Sequence, residues 1–317
     1  MRYATRVLRL LLLLAFSLPL FAQINDTYIV PVVGNLPGAF GTRWMSQVSI
    51  FNPQVDTALK VSLIYLPTGG GKSSEVLLTV PPNGVALADN VLKEWFNIAN
   101  GSGALIVATF PEDGNPSDLV ARSFLVTSDT FNNSTSGTYG QTIPGTWTGL
   151  QDYATDGTSA ISHGIRHISK YGWRTNFGGV NLGDSPVTLR LNIYDVDGKT
   201  LVKDATYTLP AQGHGQWVLP VEVDRGSVEF FVDDATKQAV VFPYTSTIDQ
   251  YSGDPTYQSP TLLATAKFLY GKGSAVPTTI GRKFTIDDAR AIRLKATMRS
   301  EERRVGKECR SRWSPYH

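Results

Sequence analysis

The residues most able to do chemistry are few and scattered. Asp195-Val196-Asp197-Gly198 sets two carboxylates two positions apart ahead of a glycine. Oxygen ligands at alternate positions suit Ca²⁺, and an EF-hand-type loop opens this way. Counted from Asp195, however, the sixth and twelfth positions should be Gly and Glu, and the chain has Thr200 and Thr206. Asp-Gly between two alternating runs is also a hairpin-turn signature. The turn is the preferred reading, with Asp195 and Asp197 kept as the candidate metal ligands. Gly69-Gly70-Gly71-Lys72-Ser73 resembles a phosphate-cradling loop but has Leu66 where that loop needs its first glycine. A hairpin turn explains these glycines.

His163 and His167 would share one face of a helix, but Gly164 and its neighbours favour a strand. On a strand, residues four apart lie about 13 Å apart, too far for one zinc ion. The adjacent carboxylates Glu112-Asp113, Asp233-Asp234 and Asp287-Asp288 point apart on an extended chain and cannot flank one bond. No Gly-x-Ser-x-Gly elbow occurs. The expectation is a protein without catalytic residues, cofactor or enzyme activity. Trp44 and Trp173 fit core or inter-sheet packing, because apolar residues follow each of them in phase. Trp95 and Trp217 sit at less regular places. They are the candidate ligand-binding residues, as aromatic platforms for sugar rings.

The elements that would position these residues follow from composition and period. Arg2, Arg6 and Arg9 precede the apolar run Leu10–Leu20, and Ala22 closes it. Residues 1–22 therefore read as a signal peptide, too short to span a bilayer comfortably. The tail Arg299–His317, RSEERRVGKECRSRWSPYH, resembles a translated sequencing adapter and holds the chain's one cysteine, Cys309. Whole-chain net charge is +2, but residues 23–260 carry 13 basic and 22 acidic residues, a net of −9. Nucleic acid is not an expected partner of so acidic a body. No membrane span is expected after signal cleavage.

Short alternating runs separated by Gly, Pro, Asn and Asp point to an all-β sandwich. Lys60 and Ser62 alternate with Leu59, Val61, Leu63 and Tyr65, and Val76, Leu78 and Val80 face them across the Gly turn. Five anchors recur at a constant offset of 129: Trp44/Trp173, Asn52/Asn181, Tyr65/Tyr194, Pro81/Pro210 and Gly84/Gly213. This spacing reads as one unit written twice, with residues 27–146 and 158–260 as two tandem immunoglobulin-like β-sandwich domains of about seven strands each. One stretch breaks the offset. Leu59, Val61 and Leu63 fall on Thr188, Arg190 and Asn192, whereas the apolar set of the second copy is Val187, Leu189, Leu191 and Ile193. A one-residue slip reverses every side chain, so a bulge or a single-residue gap separates the Asn anchor from this strand in one copy. Residues 261–298 are basic and carry no copy of the pattern.

The pattern Trp-x7-Asn, an alternating strand into a Gly turn, Pro-x2-Gly, and a closing Thr-Tyr before Gln and Pro resembles repeat units of uncharacterised secreted bacterial proteins. That resemblance implies tandem immunoglobulin-like sandwiches and carries no catalytic residue to this chain. It makes the protein a secreted or periplasmic structural or adhesion protein whose partner is a protein or glycan at the cell surface. The other reading is a carbohydrate-binding accessory module of a longer secreted enzyme.

Overall fold

The computed structural model describes residues 27–38, 41–109, 124–134, 137–148, 153–235 and 239–263. The expected signal peptide, the adapter-like tail with Cys309, residues 264–298, Glu112-Asp113 and Asp287-Asp288 lie outside them. No helix among the described residues is long and apolar enough to cross a membrane.

Period-2 alternation builds nine strands in the first part of the chain. They are β1 (Thr27–Pro37), β2 (Arg43–Phe51), β3 (Leu59–Pro67), β4 (Ser74–Val80), β5 (Val85–Ala88), β6 (Gly101–Thr109), β7 (Leu125–Ser134), β8 (Gly137–Pro144) and β9 (Thr146–Trp147). Nine more follow: β10 (Ser159–His167), β11 (Trp173–Asn181), β12 (Val187–Tyr194), β13 (Thr200–Leu209), β14 (Gly213–Val218), β15 (Val223–Asp233), β16 (Val241–Asp249), β17 (Pro255–Gln258) and β18 (Thr261–Leu263). One layer of the first unit runs β4-β3-β6-β1 with β9 also on β1; the other runs β5-β2-β7-β8. The second unit has the sheets β13-β12-β15-β10-β18 and β14-β11-β16-β17. Apart from the pairing of β1 with β2, each strand thus has the partners of the strand nine places earlier.

The class is the all-β sandwich expected from the sequence. Each unit has more than the seven strands expected, and the strand order differs from the seven-stranded immunoglobulin arrangement. There are nine strands per unit, the first pairs with the sixth, and the seventh pairs with the second; an immunoglobulin domain keeps its sixth and seventh strands in one sheet and its first and second in the other. Thr146–Trp147 and Thr261–Leu263 are the ninth strands, so each unit reaches a little past the expected boundary, and the second takes in the first residues of the basic segment.

In the first unit the two layers share one hydrogen-bonded network, because β1 crosses between them. Its body pairs with β6, while Asn35–Pro37 pair with β2. A bulge between Val30 and Val33 lets it bend. Pro31 sits in that bulge, where a missing N–H costs no ladder bond. Gly164, at φ +70°, marks the matching irregularity in β10.

Each sandwich has its own core. Val48, Ile50, Leu63, Leu105, Val107 and Phe124 close the first; Phe177, Leu189, Leu191, Val228, Phe230 and Val241 close the second. Of the five spaced anchors, four hold equivalent places. Asn52 and Asn181 do the same work. Asn52 Nδ2 donates to the carbonyls of Thr57 (2.9 Å), Val80 (3.1 Å) and Pro81 (3.1 Å), and its Oδ1 accepts from Gln54 N at 3.0 Å. Asn181 Nδ2 donates to Ser185 O (2.8 Å) and Pro210 O (3.0 Å), and its Oδ1 accepts from Gly183 N at 2.9 Å. Only a primary amide donates twice and accepts at one buried point. A Cβ on Gly84 would fall 2.5 Å from Pro81 Cγ, and one on Gly213 would fall 2.6 Å from Pro210 Cγ. The Pro-x2-Gly spacing is the signature of a proline ring folded onto a glycine.

The fifth anchor is not equivalent. Tyr65 pairs with Leu105 on β6, and it is Ile193 that makes the matching pair with Val228 on β15. Tyr194 takes the place of Leu66. The slip lies in a loop rather than a bulge, since six residues separate Asn52 from β3 and five separate Asn181 from β12. The closing Thr-Tyr echo is also out of step. Thr130 on β7 faces Gln141, whereas its counterpart Thr247 on β16 faces Thr256.

A third apolar cluster joins the units. Ile29, Ile64, Leu66, Ala104 and Ile106, on the outer face of β1-β3-β6, pack on Tyr153, Val180, Leu182, Val240 and Phe242. That sheet is buried on both faces, and its strands accordingly read as unbroken apolar runs, Leu63-Ile64-Tyr65-Leu66 and Ala104-Leu105-Ile106-Val107-Ala108. In the second unit, Arg190 on the matching strand β12 is instead bonded to Asp204 and Asp233 at the surface.

Candidate functional site

One face of the second unit's β14-β11-β16 sheet changes character along its length. At one end Val180 and Phe242 dock on the first unit. Two residues along β16 lies Tyr244, and beyond it Ser246 and Ile248 line a cleft of about 1180 Å³ between the units. Arg174 and Asn176 project into the same cleft from β11, and Gln216 from β14. The opposing wall is the open end of the first sandwich: Trp44 on β2, Thr130 and Asn132 on β7, Tyr139 and Gln141 on β8. The i, i+2 spacing of these pairs is the strand period, which puts alternate side chains on one side.

A chain of hydrogen bonds, buried at His214 and Tyr244 and exposed at its Thr68–Ser102 end, holds the two walls together. His214, 0 % exposed, follows the Gly213 turn on β14. Its Nδ1 lies 2.7 Å from Thr68 Oγ1, and its Nε2 lies 2.8 Å from Tyr244 Oη. Tyr244 donates its hydroxyl to Gln216 Oε1 at 2.9 Å. With that proton committed, Tyr244 accepts from His214 Nε2–H, and His214 Nδ1 accepts from Thr68. Thr68 Oγ1 in turn lies 2.8 Å from Ser102 Oγ. Burial without any charged partner drives the His214 pKa down to about 3 and raises that of Tyr244 well above its ordinary value. The imidazole is therefore a neutral relay between the units. Its Tyr244 contact is also a ring stack, with centroids 5.9 Å apart and planes at 10°. Tyr257 stacks on the far side of Tyr244 at 5.9 Å, and burial pushes its hydroxyl up to about 12.

The glycines of the Gly69–Gly71 turn serve this junction. Gly69 N donates to His214 O at 2.8 Å, and Gly70, at φ +84°, lies so close to Pro210 that a Cβ would meet the ring at 2.9 Å. The hairpin turn expected there is present, and its tip seats against the second unit. Gln141 and Ser246 add a side-chain bond across the cleft floor at 3.0 Å.

The cleft lining is specific in composition. Among the described residues that form it, Arg174 is the one charged group, six are Asn or Gln, and four are aromatic. Two buried atoms there, Arg174 Nε and Asn132 Oδ1, have no hydrogen-bond partner. Tyr251 stands at the mouth, 79 % exposed. Its ring lies against Gly172, where a Cβ would come within 2.6 Å of it. Tyr139 likewise passes within 4 Å of the Cβ positions of Gly137 and Gly253.

The sequence-derived candidates lie elsewhere. Asp195 and Asp197 form a hairpin turn, with Asp195 Oδ1 accepting from Val196 N (2.8 Å) and Asp197 Oδ1 from Lys199 N (2.9 Å). Among the described residues no three His, Cys, Asp or Glu side chains gather as metal ligands. Trp95 follows the short helix α1 (Val91–Glu94) and packs half-buried on the first core. The helix is capped by Asn90, whose side chain accepts from Lys93 N at 3.2 Å, while the neighbouring Asp89 accepts from Gln47. Trp217 stacks on Phe177 (5.6 Å, 30°) and against Tyr207 (5.0 Å). Neither tryptophan lines the cleft.

His163 and His167 fall on β10, on either side of its irregularity. His163 is exposed, while His167 Nδ1 accepts from Thr175 N at 3.0 Å. Asp234 accepts from Ala239 N at 2.7 Å, and Asp233 pairs with Arg190. Trp44 and Trp173 are half-buried. Both sit in phase with core residues but beyond the end of the core. Trp44 lines the cleft, and Trp173 lies under the Arg166 guanidinium at 5.3 Å.

Compared with protein-family models and with curated proteins, the chain matches none.

Proposed function

We propose that this is a non-enzymatic interaction protein of the bacterial cell surface or periplasm, built by duplicating one sandwich unit, and that the cleft between its two units is the contact site. The signal-like N-terminus supports the location. The shared pairing order of strands one to nine and ten to eighteen, with the twin Asn52 and Asn181 networks, supports duplication.

The observation that carries the binding reading is the cleft. Its walls come from both units, a neutral clasp centred on the buried His214 holds them in register, and its lining includes six amides and four aromatic rings with one charge. Such groups recognise a surface by hydrogen bonding and stacking rather than by supplying an acid, a base or a nucleophile. The partner is a protein or glycan of the cell envelope.

The test is saturation binding of fluorescently labelled protein to isolated bacterial envelopes. The Trp44→Ala/Tyr251→Ala double variant should bind at least about tenfold more weakly, a loss of about 1.4 kcal/mol, with an unchanged melting curve for the rest of the fold. Equal binding by both proteins removes the cleft from the function. Turnover of any substrate in a broad hydrolase panel by the purified chain refutes the non-enzymatic reading.

A further inference from the structure

We infer that the cleft takes an uncharged oligosaccharide of several rings; this rests on the binding reading above and names the ligand class. Four features of the lining point the same way. First, about 1180 Å³ is more than the roughly 300–1,000 Å³ of a small-molecule pocket, so an extended ligand fits better than a single ring. Second, primary amides both donate and accept, as sugar hydroxyls do. Gln216 is already oriented for this: Tyr244 occupies its Oε1, leaving the NH₂ to donate into the cleft. Third, Tyr251, 79 % exposed, rests its ring on Gly172 at the mouth, an aromatic surface on which the C–H face of a sugar ring can stack. Fourth, the body of the protein is acidic over residues 23–260, yet no acidic side chain of the described residues lines the cleft and Arg174 is its one cation. A polyanion would need several counter-charges there. An uncharged polyol needs none.

The measurement is isothermal titration of the full secreted chain. The probes are neutral tetra- to hexasaccharides of the cello-, xylo-, manno- and chito- series, with oligogalacturonate and an uncharged hexapeptide for comparison. At least one neutral series should bind, with an affinity little changed by salt. Tyr251→Ala and Asn176→Ala should each weaken it at least about tenfold. Trp44→Phe should abolish a ligand-induced change in tryptophan emission, and Val196→Ala, on the exposed turn of the second unit, should leave binding unchanged. The inference is overturned if no neutral series binds, if only oligogalacturonate or only the peptide binds, or if Trp217→Ala removes binding and Tyr251→Ala does not. Envelope binding that still depends on Trp44 and Tyr251 while every neutral saccharide fails would sink the ligand class alone. Envelope binding indifferent to both residues would sink the site as well.

Discussion

Acid should loosen this protein through His214. The imidazole is wholly buried, donates from Nε2 to Tyr244 and accepts at Nδ1 from Thr68, with no carboxylate to stabilise a charge. Its pKa in the folded chain is about 3, against 6.5 when unfolded. The folded state therefore binds fewer protons than the unfolded state between these values. The contribution to stability is complete above pH 6.5 and falls away as pH drops from 6.5 toward 3. Each pH unit in that window costs about 1.4 kcal/mol. At pH 5.0 the loss is about 2 kcal/mol, a large part of the roughly 5–15 kcal/mol that holds a typical domain.

The assay is urea unfolding at pH 7.5 and 5.0 of the natural chain and of His214→Gln. Glutamine can keep one bond of the clasp but cannot titrate. With a slope of about 2–3 kcal/mol/M, the midpoint of the natural chain should fall by roughly 0.7–1 M more than that of the variant. His167, whose pKa is lowered by burial and whose Nδ1 accepts from Thr175 N, shifts stability in the same direction but is present in both proteins and cancels. Equal shifts in the two proteins would refute the neutral-relay argument.

Two further outcomes follow from the packing. Phe242→Ala removes one of the two rings of the inter-unit cluster and should cost about 3–5 kcal/mol, with protease cutting between the units appearing before either core unfolds; calorimetry and limited proteolysis read both. Asn181→Ala strands the Pro210 and Ser185 carbonyls and the Gly183 N–H, and Asn52→Ala does the same at the equivalent turn. Each should lower stability by about 1–3 kcal/mol in denaturant titration, and a neutral result at either position would undo the account of why the residue is asparagine.

Local pattern made much of the architecture legible. Alternation at Leu59–Tyr65 and Val76–Val80 marked strands, because side chains of a strand point alternately to oil and to water. The 129-residue spacing located Asn52 with Asn181 and Gly84 with Gly213, because each belongs to a turn closed within about thirty residues. The same spacing misled at Tyr65 and Tyr194. Identity of residue type at a fixed distance is blind to a loop one residue shorter, and the burial pattern of β12 was the better guide.

What the chain by itself determined is therefore the strands, their turns and the oily face of each. The unbroken run at Ala104–Ala108 even carried the fact that one sheet is covered on both sides. Tertiary structure alone decided which strand lies beside which, and hence that the order is not that of an immunoglobulin domain. It also decided that Trp44 and Tyr251 line one cleft, that a glycine turn at 69–71 abuts Pro210, and that His214 sits between Thr68 and Tyr244. Except for His214 and Tyr244, which lie 30 residues apart on neighbouring parts of one sheet, these partners are separated by more than a hundred residues. Periodicity reports the direction of a side chain relative to its own strand. It holds no information about what a second folded surface will bring opposite.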